Sequence, residues 1–472
     1  MSQALGRVSD AAGYLSSKTI AALCSPTGGA LCVLRISGSE AFSIAEKITQ
    51  LKLANSERKV VRTWIRDETG KKIDDAVLVP FVGPRSFTGE DVVEFFLHGS
   101  PIIAQKTLDL IFSHGARMAL PGEFSFRGVK NGKFSLSQAE AVKELIAAEN
   151  DFALDLALEK LSGSQHQLIE NIRTELMQVV TMSEAGIDFS DQDIDEVSLP
   201  RLKIRVKKIS ELLRSLQGSF DRGKRFLDGI PVSVFGLPNA GKSSFFNALL
   251  GEERSIVSEI AGTTRDVVRE KINLKGDQGY VTFKLSDTAG LRKSADQIEE
   301  IGIDRSLKAA RESDLVLIVI DGTNPHLEEI QKFLSQIQLE NKVLLGVLTK
   351  SDLVASEKKS KILAAVASLP VKHWEWISSK TLDGIHEVAT SMANVAEEFL
   401  ARKPGEVLLT RFEHVQAVNG SLECLSRAES AQDTVLFATD LRHGMAELAP
   451  LIGETLPDDV LGKIFSDFCI GK

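Results

Sequence analysis

Lys242 and Ser243 close the run Gly236-Leu237-Pro238-Asn239-Ala240-Gly241-Lys242-Ser243, and its residue types suit one task, gripping a polyphosphate. Glycines let backbone N–H groups wrap phosphate oxygens, and a following helix start adds a favourable dipole. Lys242 is placed to reach the outer phosphates, and the Ser243 hydroxyl is offered to Mg²⁺, with Ser244 next in the helix. Four further runs follow in order. Gly262-Thr263-Thr264-Arg265-Asp266 supplies a threonine hydroxyl, assigned to Thr264, that completes the magnesium shell when a γ-phosphate is present. Asp287-Thr288-Ala289-Gly290 brings a carboxylate for a metal-bound water and a Gly290 N–H that senses the γ-phosphate. Thr349-Lys350-Ser351-Asp352 places the Asp352 carboxylate to accept both N–H donors of a guanine edge, which selects GTP over ATP. Ser378-Ser379-Lys380 offers backbone donors to the guanine carbonyl. Each later run alone reads equally well as a polar loop. Their fixed order, each at the end of an apolar strand-like run, points to a guanine-nucleotide site.

Two positions depart from the common pattern. Thr349 stands where an asparagine usually precedes the lysine, so only a hydroxyl is left to tie loops together, and weaker nucleotide affinity is expected. Leu291 stands where Ras-like switches carry the glutamine that orients the attacking water. A carboxylate must take that role, and Asp296, Glu299 and Glu300 are all candidates, although a charged helix face would look the same. Charge on the leaving phosphate calls for a cation, which the Asn239 side-chain oxygen is placed to hold.

These motifs need a parallel sheet beneath them. Between residues 218 and 393 the runs PVSVFG, VTFKLSD, LVLIVID, KVLLGVL and WEWIS each precede a loop and a helix-like stretch, which is α/β texture. Before it, LCVLRISG and DVVEFFLHG among glycine and proline turns predict a compact α+β domain ending near Lys133. From Leu136 the pattern turns helical, with Ser137 and Glu140 reading as a capping box, and it continues to about Ser183. The acidic run DFSDQDIDEVSLP interrupts it, and RLKIRVKKISELLRSL resumes an amphipathic helix whose basic face reads as solvated. The last eighty or so residues are helical again, so the helical part is split by the α/β insertion. The expected divisions are 1–134, 135–217, 218–393 and 394–472.

A chain of 472 residues and 43% hydrophobic composition supports several filled cores. The net charge of −9 argues against wrapping nucleic acid through bulk positive charge, so any RNA contact is local. Cys24, Cys32, Cys424 and Cys469 form no metal-ligand spacing and read as reduced thiols. The polar N-terminus and strand-length apolar runs predict a cytoplasmic protein without a membrane segment.

With GLPNAGKSS, SEIAGTTRD, DTAGLR, LRISG, SFTGEDVVE, PGEFSFRG and the terminal FCIGK in view, the chain resembles the MnmE (TrmE) family of tRNA-modification GTPases from about Thr19 to its last residue. Several of these motifs lie outside the nucleotide region, which makes the resemblance specific. It implies a multidomain α/β and α+β architecture: an N-terminal folate-binding-like domain, a discontinuous α-helical domain and an inserted Ras-like G domain. It also implies a homodimer with potassium-dependent GTP hydrolysis. K⁺ ligands would then be Asn239, the Ser258 and Ile260 carbonyls and Thr263, with Glu259, Ala261 and Gly262 in the same nucleotide loop; Mg²⁺ would rest on Ser243 and Thr264. The resemblance singles out Glu299 as the water-orienting residue. A reduced folate, 5,10-methylenetetrahydrofolate or a relative, is implied near Arg35, Glu94, Lys133 and Lys472, although Glu94 alone reads as a solvated strand residue and Gly29 falls where the family commonly has arginine. Cys469 is implied in or near the modification site. The implied partners are tRNA and an MnmG (GidA)-type FAD protein in a heterotetramer, adding a carboxymethylaminomethyl or aminomethyl group to C5 of wobble uridine 34. The competing readings are a ribosome-assembly GTPase of the Era or Der type, which should carry a KH-like module or second G domain, and a folate enzyme merely regulated by GTP.

Overall fold

Side chains of Lys72–Phe81 are covered at every second position, the signature of a strand with one face on a core. The computed structural model describes residues 11–53, 58–188, 198–252, 271–285, 307–337, 342–403, 405–452, 458–466 and 468–471. It divides into two units. One comprises Met1–Lys143, Leu161–Val197 and Ala431–Lys472, and the other Glu144–Lys160 and Ser198–Ser430.

In the first unit, α1 (Ala11–Tyr14) leads into β1 (Ile20–Leu23), β2 (Leu31–Ser37), α2 (Ala41–Thr49), β3 (Val61–Arg66), β4 (Lys72–Phe81), β5 (Val92–His98), α3 (Pro101–Ser113), β6 (Arg117–Met118) and α4 (Glu123–Lys130). The six strands run in the order β3-β4-β5-β2-β1-β6, antiparallel except where β1 meets β6. Leu34, Ile36 and Phe95 from the sheet pack with Ile44 and Ile48 of α2 and Ile111 of α3. This is the α+β body expected from the short β-rich runs among glycine and proline turns.

The helical stretch after Leu136 is three helices, α5 (Leu136–Ala147), α6 (Asp151–Leu161) and α7 (Ser164–Asp188). Its start differs from expectation. Ser135 caps α5 by accepting from the Gln138 N–H at 3.2 Å, and the Gln138 amide oxygen accepts the Ser135 N–H at 2.9 Å. The capping box therefore sits two positions before Ser137 and Glu140, which lie buried inside the helix. Both pairs fit the pattern, but α4 ends at Lys130 and the chain turns into the helix at Phe134, leaving Ser135 at the cap.

The second unit continues with α8 (Leu199–Gly218), α9 (Phe220–Asp228), β7 (Ile230–Phe235), α10 (Lys242–Glu252), β8 (Lys271–Lys275), β9 (Tyr280–Leu285), β10 (Leu315–Asp321), α11 (Leu327–Leu334), β11 (Val343–Thr349), α12 (Ser356–Val366), β12 (His373–Trp376), α13 (Ile385–Leu400) and α14 (Phe412–Ser430). Its sheet runs β12-β11-β10-β7-β9-β8, with β8 alone antiparallel. β10 is buried from Leu315 to Ile320, as a central parallel strand covered on both faces must be, which is why LVLIVI shows no alternation. β8 was not among the sequence-predicted strands, because its run KINLK is short and polar at alternate positions.

The chain returns to the first unit in α15 (Thr434–Glu447), α16 (Ala449–Ile452) and α17 (Asp458–Phe465). In the first unit α7 packs with α15, and in the second α8 packs with α14, so helices from either side of the parallel sheet pair with each other. The helical region is discontinuous in sequence. No helix among the described residues is long and apolar enough to cross a membrane.

Candidate functional site

The phosphate-type loop links β7 to α10. Asn239 and Gly241 both take left-handed backbone (φ 64° and 89°), which a glycine adopts freely and which turns the loop back on itself. The Lys242 ammonium lies inside the curl, donating to the carbonyls of Gly236 at 2.7 Å and Leu237 at 2.9 Å. Burial lowers its pKa, so the charge is costly there and gains from any anion placed beside it. Ser243 and Ser244 stand exposed in the first turn of α10, and Asn239 is exposed on the loop. The donors and hydroxyls present fit a polyphosphate with a divalent cation.

Thr349 ends β11 and its hydroxyl donates to the Ala240 carbonyl at 2.8 Å, with the Ile320 carbonyl at 3.2 Å as alternative acceptor. The hydroxyl thus ties the phosphate loop to the ends of β10 and β11, the task expected of the missing asparagine. One proton serves two acceptors, where an amide would bring two. Lys350, itself left-handed (φ 58°), pairs with Asp321 at the end of β10 at 2.5 Å. Burial pushes the Asp321 carboxyl up, but hydrogen bonds from Lys350, from the Thr323 hydroxyl and from the Thr323 N–H outweigh it and hold the group below its ordinary value. Asp321 was missed in the sequence, although an acid closing an apolar parallel strand was the available signal.

Ser378 follows β12 and is fully buried, and its hydroxyl donates to Asp352 Oδ1 at 2.8 Å. Asp352 is thereby aimed while its other oxygen keeps its acceptor capacity. Ser351 N–H donates to the Ile377 carbonyl at 2.9 Å, fastening the two loops, with Ser379 half-buried and Lys380 exposed beside them. The structure brings together the 236–244 loop, Thr349, Lys350, Asp352 and Ser378 at the carboxyl ends of β7, β10, β11 and β12, where open α/β sheets bind ligands. Ser258, Glu259, Ile260, Ala261, Gly262, Thr263, Thr264, Asp287, Thr288, Ala289, Gly290 and Glu299 lie outside the described residues, as do Leu291, Asp296 and Glu300.

The second set of candidates lies in the first unit. Arg35 on β2 and Glu94 on β5 are cross-strand partners, joined at 2.8 Å and 2.7 Å and only 17% and 18% exposed. Glu94 is therefore a half-buried, paired acid and not a solvated strand residue. The Arg35 guanidinium lies 4.9 Å from the centre of the Phe87 ring and 5.4 Å from that of Phe124. Lys133 donates to the Pro84 carbonyl at 2.6 Å. An acid held by arginine beside aromatic rings can accept from the N–H donors of a flat heterocycle.

The same unit holds a network that sequence reasoning did not separate from its motifs. Glu123, fully buried on α4, pairs with Arg117 at 2.6 Å and Arg127 at 2.8 Å, and Arg127 reaches Glu90 at 2.9 Å. Each buried charge has its partners, so PGEFSFRG and SFTGEDVVE meet as structure. Burial, aided by Glu123, pushes the Tyr14 hydroxyl up to about 12, and it donates to the Pro121 carbonyl at 2.8 Å. The C-terminal residues 468–471 are not frayed. Phe468 packs against Phe465, and Gly122 N–H donates to the Cys469 carbonyl at 3.2 Å. A Cβ on Gly122 would lie 2.6 Å from the Phe465 carbonyl, so only glycine lets the tail approach. Cys469 is exposed and none of the four cysteines is in a disulfide; Lys472 lies outside the described residues.

Two family models match the chain, one described as the MnmE helical domain over residues 136–469 and one as the GTP-binding protein TrmE N-terminus over residues 19–133. Proteins described as tRNA modification GTPase MnmE resemble it along nearly its whole length. That of Aquifex aeolicus is 36% identical, covering 96% of this chain and 99% of its own. That of Protochlamydia amoebophila is 35% identical over 97% and 98%, and that of Thermotoga maritima 34% over 96% and 100%.

Proposed function

The chain belongs to the MnmE (TrmE) family, and on that premise we propose that its nucleotide site works as a potassium-assisted GTPase within a dimer. It is a GTP-hydrolysing enzyme of tRNA wobble uridine modification. The observation that carries the site assignment is Ser378 aiming Asp352 while Thr349 ties the neighbouring strands to the phosphate loop, a geometry suited to guanine and phosphates at once.

Within this reading Lys242 binds the outer phosphates, and Ser243 with Thr264 would hold Mg²⁺. Asn239, Ser258, Ile260 and Thr263 would hold K⁺, and the bound cations would offset charge on the phosphates. By the family resemblance Glu299 would orient the attacking water, a task the apolar Leu291 side chain cannot perform. Glu94 would recognise a reduced folate, with Arg35 fixing the Glu94 carboxylate and Lys133 and Lys472 meeting the folate acids; the folate would supply a one-carbon unit. The polypeptide divides by function at 1–134, 135–217, 218–393 and 394–472, with Cys469 at the modification site. Its partners are a second copy, tRNA and an MnmG-type FAD protein.

Nucleoside analysis of tRNA from a strain lacking the chain tests the biological role. Loss of the C5 substituent on wobble uridine is expected, and unchanged wobble uridines would overturn it. Exchanging Na⁺ for K⁺ should strongly raise GTP turnover; equal rates in both salts would remove the potassium assignment.

A further inference from the structure

The two runs tied by sequence to the γ-phosphate flank one hairpin. β8 starts at Lys271, just after Gly262–Asp266, and β9 ends at Leu285, just before Asp287. Within the second unit this hairpin is gripped by three consecutive residues where α5 gives way to α6. Glu149 pairs with Lys271 at 2.8 Å, and its backbone carbonyl accepts from the Asn273 amide at 3.1 Å. Asn150, 8% exposed, donates to the Thr282 hydroxyl at 2.8 Å, and that hydroxyl donates on to the Asn273 side-chain oxygen at 2.7 Å. Asp151 accepts the Tyr280 N–H at 2.7 Å. The contacts reach both strands, and every buried polar atom named has a partner.

Asn150 also holds the other side. Its side-chain oxygen accepts the Ala153 N–H at 2.7 Å, capping α6, so one amide joins the hairpin to a helix start. At the far end of α6 the buried Lys160 ammonium pairs with Glu144 at 2.7 Å and donates to the Thr410 hydroxyl at 2.8 Å. Residues 144–160 are thus fastened at both ends to the second unit, while the chain on either side of them belongs to the first. A rigid, hydrogen-bonded attachment of this kind passes a displacement of the hairpin to the helix.

We propose that Glu149, Asn150 and Asp151 are a coupling clamp, through which the nucleotide state at the ends of the β8–β9 hairpin is passed to α6 and so to tRNA modification. The clamp rests on the functional reading above. It positions and transmits; none of its residues belongs to the phosphate loop or to the guanine-recognising runs. The polar contacts are local and mutually satisfied, so a change at one residue alters coupling without altering the phosphate loop or the guanine-recognising residues.

The test uses the full-length chain. Glu149→Lys sets two cations together in place of the pair, and Lys271→Glu in the same molecule restores the attraction with reversed sign; the Asn273 bond, made to backbone, is untouched by either. Thr282→Val removes the shared hydroxyl while keeping its shape. GTP turnover of each purified variant is compared with wobble uridine modification in a strain carrying that variant as its only copy. We expect turnover within about twofold of the unsubstituted chain and modification lowered about tenfold or more, with the charge-swapped double variant recovering modification. Modification unchanged in both Glu149→Lys and Thr282→Val overturns the clamp. Turnover and modification falling in proportion overturns it too, since that is the mark of a merely structural contact. Unchanged wobble uridines in the strain lacking the chain would instead remove the functional reading, and the clamp with it.

Discussion

Replacing Thr349 by valine keeps the shape of a side chain that is 2% exposed and deletes its hydroxyl. The lost bond runs to the Ala240 carbonyl at 2.8 Å, with Ile320 as the second acceptor at 3.2 Å. A hydrogen bond of this kind contributes about 1 kcal/mol net, and a buried carbonyl deprived of a donor costs about 1–3 kcal/mol. Because Ala240 lies inside the phosphate loop, between left-handed Asn239 and Gly241, the loss falls on the geometry that receives the nucleotide. We expect about 1–2 kcal/mol in binding, or roughly 5- to 30-fold weaker GDP affinity. Titration of a fluorescent GDP analogue reads this directly, with thermal unfolding measured alongside. Thr349→Ser, which keeps the hydroxyl, should retain most of the affinity. If valine leaves the dissociation constant within about twofold and lowers only the unfolding temperature, the hydroxyl serves folding alone and the argument fails.

Ser378→Ala removes the donor that aims Asp352, so guanine nucleotide affinity should fall by about 1 kcal/mol, roughly fivefold, with ATP binding no better; an unaltered affinity would show that Asp352 needs no aiming. Lys160→Met leaves Glu144 buried without its cation and should destabilise the second unit by about 3–5 kcal/mol, seen as a lower urea midpoint. An unshifted midpoint would mean Glu144 finds another partner. The Asp321 carboxyl is held below its ordinary value of 3.8 when folded, so its contribution to stability is complete above that value and disappears as pH falls through the depressed one. Asp321→Asn should therefore flatten that part of the acid-unfolding profile, and a profile superimposable on the parent would contradict it. Glu299→Ala should abolish GTP turnover while sparing GTP binding; retained turnover would move the role to Asp296 or Glu300.

The sequence alone determined the nucleotide chemistry, because a phosphate loop is built from backbone and from contiguous residues, and local spacing carries that information. Runs such as LVLIVID and DVVEFFLHG likewise specified their strands, since burial on one face or two is written in their alternation or lack of it. What needed tertiary structure was every pairing between distant positions. That the Thr349 hydroxyl reaches Ala240, that Ser378 aims Asp352 and that Arg35 holds Glu94 depend on strand register, which no local pattern encodes. The same limit hid Asp321 and the Glu149-Asn150-Asp151 contacts. Their residue types are ordinary at a strand end or helix cap, and only the fold shows which partners they meet. Even the cap of α5 was misplaced in the sequence, which pointed to Ser137 and Glu140, whereas the path of the preceding turn leaves Ser135 and Gln138 at the helix start.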